Sequence, residues 1–253
     1  MSKGLRIVEP SISGAVGSAI GLLGGPPGAV IGGFVGGAFS VAVKKLGSEM
    51  DRRFMGPREE ARVGAVCALG AAEIVERINA GEKLREDGFF EEGEAGRSDA
   101  EEVWESLLSK CQREASERKL TYMANLLAGV AFDESVGLDM AHQLIYAVEQ
   151  LSYRQLCILR MLARRESLEL RSTPYKQPGQ DEVELPKDVY QVLSECLDLY
   201  NRGFVGTDIA VLDLTHIVPS EMRVQGIGAD LHNLMRLQFI PDRDVITVAE
   251  VLR

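Results

Sequence analysis

The stretch PSISGAVGSAIGLLGGPPGAVIGGFVGGAFSVAV, Pro10 to Val43, contains 34 residues and no charged side chain. A helix that crosses the hydrocarbon core of a bilayer needs about 20 apolar residues. A buried helix of a water-soluble domain needs a much shorter uncharged run, because its outer face is polar. The sequence therefore predicts that residues 1–47 form a separate, membrane-active unit.

Two four-residue repeats of small residues run through this stretch. The first repeat contains Gly24, Gly28, Gly32, Gly36 and Ser40, and the second contains Gly17, Gly21, Gly25, Ala29, Gly33 and Gly37. Residues four apart lie on one side of a helix, so each repeat forms a stripe. A glycine inside a helix costs about 1 kcal/mol relative to alanine, and close helix–helix approach can offset this cost. We expect a glycine zipper.

Two prolines interrupt the repeats. Pro26 and Pro27 remove amide donors and disfavour helix at the preceding residue, which argues against one continuous helix. We expect two shorter helices, at 11–24 and from residue 27 or 28 to about residue 46, with the prolines at the turn. Each helix barely matches the thickness of the bilayer core, which favours a hairpin.

Basic residues flank both ends of the predicted hairpin. Lys3 and Arg6 precede it, and the residues that follow it include Lys44, Lys45, Arg52 and Arg53. The positive-inside tendency then keeps both ends in the cytoplasm. The expected location is the cytoplasmic face of the inner membrane, or the cytoplasm until a trigger releases the segment.

The glycine-rich stretch has three other interpretations. Gly25-Pro26-Pro27-Gly28 matches the opening of a phosphate-binding loop, but the required Gly-Lys-Thr is replaced by Val30-Ile31-Gly32. A secretory signal peptide would need a cleavage site of small residues, and no clean site follows the first predicted helix. The third interpretation is a soluble glycine-rich element buried in an oligomer, and we retain it because large apolar residues are sparse in this stretch. The same moderate hydropathy would let a membrane-active segment be stored in soluble form and insert on release.

Charge and cysteine usage disfavour several classes of protein. The chain has 253 residues and a net charge of -10, whereas nucleic-acid binding requires a basic face. Residues 82–105 contain ten acidic and three basic residues, so the acidity is concentrated in one solvated region. The cysteines and histidines are scattered without metal-ligand spacing. We expect reduced core thiols, no metal and no cofactor.

The middle of the chain, residues 48–150, reads as a helical domain. Apolar periodicity predicts helices at 58–79, 99–130 and 138–150, and Ser98 with Glu101 forms a capping box at the start of the second. Residues 81–96 are acidic and contain glycines, which predicts an exposed, mobile loop.

Residues 151–253 read as a winged-helix-like α+β domain. Ser152 with Gln155 forms a second capping box. The predicted helices are 153–165, 187–201 and 227–237, and the predicted strands are 204–205, 210–217 and 245–248. The second of these helices is acidic, which favours a protein-interaction domain over a DNA reader. The fold class is mainly α.

No catalytic constellation is visible. The chain lacks a G-x-S-x-G elbow, and no histidine is placed by sequence beside a nucleophile. The adjacent acidic pairs are typical of solvated or helix-start charges. We therefore expect a protein that is not an enzyme.

The stretch KLTYMANLLAGVAFDESVGLDMAHQLIYAVEQLSYRQLCILRML, Lys119 to Leu162, resembles a family of uncharacterised bacterial proteins in which a helical region leads into an LSYRQL helix. It is also loosely similar to abortive-infection proteins of the Abi-alpha type, in which a helical region precedes a winged-helix-like end. The resemblance covers about the last 150 residues. It implies a bacterial origin and antiphage defence, and no functional residue carries over from it.

The sequence is compatible with three functions. The first is a membrane-perturbing effector that inserts residues 12–43 and oligomerises, with lipid, other copies and a regulatory protein as partners. The second is a soluble oligomeric adaptor whose glycine-rich helices pack against themselves or a partner. The third is a DNA-binding regulator, which the acidic helix disfavours because duplex binding needs cationic contacts.

Overall fold

The computed structural model describes residues 56–94, 96–176, 179, 183–208 and 212–253. The chain divides into two compact units, with the boundary between Glu149 and Gln150. The predicted hairpin, 1–47, lies outside the described residues.

The described residues are mainly helical, as predicted. Their helices are α1 Pro57–Asn79, α2 Asp99–Arg113, α3 Glu117–Gly129, α4 Leu138–Gln150, α5 Tyr153–Ala163, α6 Lys187–Asn201, α7 Ile227–Leu234 and α8 Asp242–Val251. Short 3-10 helices occur at Arg165–Ser167, Leu214–His216, Pro219–Glu221 and Leu237–Phe239. The strands β1 (Val205–Gly206) and β2 (Arg223–Val224) pair antiparallel, Val205 opposite Val224. In the part of the chain that the structure describes, no helix has the length and apolarity needed to span a membrane.

The core of the first unit forms where α1 packs against α2 and α3. Val63, Val66 and Ile74 on α1 have no exposed surface. Gly70 allows close approach to α3, since a Cβ there would lie 2.9 Å from the Leu127 side chain. Trp104 of α2 is buried and donates to the Leu127 carbonyl at 3.3 Å.

The predicted helix over 99–130 is wrong, because the chain breaks between α2 and α3. Glu114 adopts an extended conformation and accepts from the Ser116 amide at 2.8 Å. Its carboxylate also binds Lys119, whose side chain is only 2% exposed, at 2.6 Å. Lys119 donates further to the Glu149 carbonyl at 3.4 Å. The apolar period continues through the break, so periodicity alone could not reveal it.

The acidic loop between α1 and α2 was predicted to be exposed and mobile. Most of its described residues are exposed, and Arg85 anchors it to the first unit. Arg85 is buried and donates to the carbonyls of Val130 and Val136 at 3.1 and 2.9 Å. Its guanidinium also pairs with Asp87 and lies 4.2 Å from the centre of the Phe89 ring. Arg85, Phe89 and Phe90 are therefore buried, while the acidic residues between Glu82 and Glu94 are exposed.

In the second unit α5 packs against α8, α6 and α7. Ser152 caps α5, and Gln155 completes the capping box while donating to Asp198 of α6 at 2.8 Å. Arg160 and Arg164 bind Asp242, the first residue of α8. These hydrogen bonds lower the pKa of the Asp242 carboxyl.

Two of the predicted strands differ in the structure. Residues 245–248 lie within α8, where Val245, Val248, Ala249 and Leu252 are buried at helical spacing. The acidic residues Asp242 and Asp244 occupy the first turn of that helix, where the helix dipole favours them. Residues 214–216 form a 3-10 helix that the Asp213 carboxylate caps, so the predicted strand over 210–217 is not formed there.

Candidate functional site

The residues that the sequence marks as functional lie outside the described part of the chain. This holds for the glycines of both stripes, for the turn prolines Pro26 and Pro27, and for the flanking bases Lys44, Lys45, Arg52 and Arg53. Their predicted roles in helix packing, turn formation and membrane flanking stay predictions.

The cysteines are core thiols and form no disulfide with one another. Cys111, Cys157 and Cys196 are buried, and Cys67 is partly buried. Burial raises the pKa of Cys67 and of Cys196 to about 12. It also raises the pKa of Cys111 well above its ordinary value. These three side chains therefore remain protonated at neutral pH and contribute to the core as small apolar groups.

Among the described residues, no three histidine, cysteine or acidic side chains converge to hold a metal ion. The His142 ring pairs with Glu102 at 2.9 Å, and the His216 ring pairs with Asp213 at 2.6 Å. Both histidines thus make surface contacts with single carboxylates.

A cleft of about 250 Å³ lies within the second unit. It is bounded by the end of α5, the first residue of the following 3-10 helix, strand β2 and the exposed side of α7. Its polar lining consists of Arg165, Arg223, His232 and Asn233.

Two glycines bring α7 close to the strands and so shape this cleft. Gly226 has a φ of +50°, a conformation that side-chain-bearing residues rarely adopt. A Cβ at Gly228 would collide with the carbonyl of Phe204, which directly precedes β1. The start of α7 therefore lies against β1, and His232 and Asn233, one turn later, line the cleft beside β2.

The cleft is cationic. The Arg165 side chain forms no hydrogen bond or ion pair with any described residue, and it is half-buried. Arg223 pairs with Asp208, whose side chain is 78% exposed. The ring Nδ1 of His232 contacts the side-chain oxygen of Asn233 at 3.3 Å.

The chemistry that this lining supports is binding of an anionic or hydrogen-bond-accepting group. It presents two guanidiniums, an amide and an imidazole, while its described residues include no carboxylate, thiol or hydroxyl. Ala163, Val224 and Ala229 give it an apolar part.

Sequence reasoning missed this cleft. Its polar residues are separated by up to 68 positions along the chain, from Arg165 to Asn233, and no motif links them. Two local features of the sequence lie at this cleft. They are Arg165, which follows the end of α5, and the Gly226-x-Gly228 pattern that allows α7 to approach the strands closely.

Comparison of the chain with family models, with curated proteins and with solved structures gave no match.

Proposed function

We propose that this chain is a non-enzymatic bacterial effector that perturbs the inner membrane by inserting and oligomerising its N-terminal glycine zipper. The observation that carries the proposal is the uncharged stretch Pro10 to Val43 with its two in-register glycine repeats. Small residues at four-residue spacing allow helices to approach closely in lipid, where the hydrophobic effect does not drive helices together.

The length of the predicted helices supports assembly of several copies. Helices of about 14 to 19 residues reach about 21 to 29 Å at 1.5 Å per residue, which is short of the hydrocarbon core. A short hairpin is accommodated by thinning the bilayer or by oligomerising. Both responses weaken the bilayer as a barrier.

In this proposal the described units hold the segment or sense the trigger. The second unit is winged-helix-like in our interpretation, with α5 and α6 followed by the β1–β2 pair. The acidic character of α6 supports a protein partner over DNA. Glu195 of that helix binds Arg154 at 2.7 Å, and Asp198 binds Arg202 at 3.0 Å, so its carboxylates engage the few nearby cations.

The resemblance of residues 119–162 to Abi-alpha-type proteins supports a role in antiphage defence. An abortive-infection effector acts when infection releases it, and a segment of moderate hydropathy suits storage before release. The proposed location is accordingly the cytoplasm before the trigger and the inner membrane after it.

The test is a triple substitution, Gly28→Leu, Gly32→Leu and Gly36→Leu, compared with Gly137→Leu. Gly137 is exposed, has no positive φ, and a Cβ there would meet nothing within 4 Å. Expressed in bacterial cells, the wild type and Gly137→Leu should depolarise the inner membrane, and the triple variant should not. Depolarisation by all three proteins at equal expression would overturn the proposal.

A soluble oligomeric adaptor is the second candidate, and one surface of α1 favours it. Ala61, Ala65, Leu69 and Ala72 lie on one side of that helix and are exposed, Leu69 by 43%. A stripe of small residues suits close packing by another helix. Fractionation of the full chain with the cytosol, together with an oligomer that Leu69→Lys dissociates, would favour the adaptor.

A further inference from the structure

We infer that the cationic cleft of the second unit binds a phosphate group carried by a small ligand. This inference does not depend on the membrane activity proposed for residues 12–43, because all of the residues that carry it belong to the second unit. The ligand is a phosphomonoester, either on a soluble metabolite or nucleotide or on a lipid headgroup.

The cleft offers hydrogen-bond donors of the kind that bind phosphate. Arg165 and Arg223 border the same cleft of about 250 Å³ and come from different elements. A guanidinium presents paired N–H donors that match two phosphate oxygens, and two of them can bind one phosphate from different sides. The side chains of His232 and Asn233 add further donors at the same cleft.

Both guanidiniums are available to a ligand, one unpaired and one in an exposed ion pair. The Arg165 side chain is half-buried and has no hydrogen-bond or ion-pair partner among the described residues. Arg223 pairs with the exposed carboxylate of Asp208. An exposed ion pair of this kind contributes only about 0–1 kcal/mol, so a doubly charged phosphate can compete for the guanidinium.

Three other arginines of this unit differ from those at the cleft, because carboxylates of neighbouring helices already bind them. Arg160 and Arg164 converge on Asp242, and Arg154 lies in a two-bonded pair with Glu195. These guanidiniums hold helices together through carboxylates. Those at the cleft instead border an open volume that Ala163, Val224 and Ala229 also line, which suits a ligand with an apolar part next to its phosphate.

The experiment is a titration of the isotope-labelled full chain with inorganic phosphate, followed through the arginine Nε–H signals by NMR. Sodium chloride at the same ionic strength serves as the baseline. The expected result is saturable shifts of the Arg165 and Arg223 signals in the millimolar range. Arg165→Gln should weaken binding about tenfold.

Two further variants keep the test decisive. Arg223→Gln should weaken binding to a similar degree, which covers the case in which Arg165→Gln fails to fold. Arg243→Gln is the matched control, because its guanidinium is 80% exposed and lies 3.6 Å from a carboxylate outside the cleft lining. It should change the affinity by less than about twofold. Shifts that do not saturate, or equal losses in all three variants, would overturn the inference.

Two additional arms distinguish the sources of the phosphate. Adenosine monophosphate that binds the wild type more tightly than inorganic phosphate, with loss in Arg165→Gln, indicates a soluble ligand. Sedimentation with phosphatidylcholine vesicles that requires added phosphatidic acid and Arg165 indicates a lipid headgroup. Either result supports the inference, and saturable binding of inorganic phosphate with neither of these results would contradict a phosphomonoester ligand.

Discussion

Arg85 is the residue on which the anchoring of the acidic loop depends. Replacing it with methionine leaves the Val130 and Val136 carbonyls without their donor and Asp87 without its cation. We expect Arg85→Met to lower the free energy of unfolding by about 2–4 kcal/mol. Urea denaturation followed by the fluorescence of Trp104, the only tryptophan, measures this because Trp104 is buried in the same unit.

The control for this measurement is Arg77→Met. Arg77 also forms an ion pair, with Glu82 at 2.6 Å, but the Glu82 side chain is 48% exposed. The partner of this pair is exposed, and the Arg77 guanidinium also lies 4.0 Å from the centre of the Phe132 ring, so the control should lose less stability than Arg85→Met. Equal losses in the two variants would show that the buried position of Arg85 does not matter.

Asp213 makes the second unit sensitive to acid. Burial, the largest single influence, acts to raise its pKa. Hydrogen bonds from the Thr215 hydroxyl and the His216 ring, and from both backbone amides, outweigh this effect and hold the pKa at about 2, below the ordinary 3.8. Because the folded-state pKa is depressed, the stability from these bonds is complete above the unfolded-state value and is lost as the pH falls through about 2.

The test compares the melting temperature of the wild type with that of Asp213→Asn by circular dichroism. The advantage of the wild type should be constant from neutral pH to about pH 4.5 and should shrink as the pH falls towards 2. Subtracting the variant removes the contribution of the other carboxyl groups. An advantage that stays constant down to pH 2.5 would contradict the assigned role of Asp213.

At the residue scale, the sequence predicts contacts between near neighbours and misses distant ones. The capping residues Ser98 and Ser152 were predictable because each bonds to a residue three positions away. Arg85 binds carbonyls 45 and 51 positions away, and nothing local distinguishes it from the exposed Lys83. The arginines of the cleft escape prediction for the same reason.

The capping boxes set the beginnings of helices, and α2 offers a direct comparison. Ser98 accepts from the Glu101 amide at 3.2 Å, whereas Ser116 at the start of α3 makes no capping bond with its side chain. Ser98→Ala should lower the free energy of unfolding by about 1 kcal/mol. Ser116→Ala should change it by less than about 0.5 kcal/mol.

Urea denaturation followed through Trp104 serves for both serine variants, since both helices belong to the first unit. If Ser116→Ala lowers the free energy of unfolding as much as Ser98→Ala does, the capping bond of Ser98 does not explain its contribution to stability.

Element boundaries were predictable where local signals agree and failed where long-range contacts intervene. The helix 138–150 and the helix 187–201 have the predicted bounds. The break between α2 and α3 depends on the buried pair of Glu114 and Lys119, which periodicity does not encode. The β-branched residues of 245–248 favoured a strand, but only Val245 and Val248 are buried, and their spacing of three fits the helix that packs against α5.

At the scale of the whole molecule, the chain combines an uncharged N-terminal segment with two charged helical units. The segment contains no ionisable side chain between Pro10 and Val43, whereas the chain as a whole is 26% charged. In our account the segment carries the activity and the folded units carry control, with the cationic cleft as a site at which a phosphate ligand enters that control.

Dye leakage from vesicles of phosphatidylethanolamine and phosphatidylglycerol tests the central claim most directly. The full chain, the Gly28, Gly32 and Gly36 triple leucine variant, and the Gly137→Leu control would be added at equal concentrations, after the vesicle-free proteins are shown to melt alike. The account predicts leakage by the full chain and the Gly137→Leu control, and little or none by the triple variant. Equal leakage by all three proteins, or association with vesicles by none of them, would contradict it.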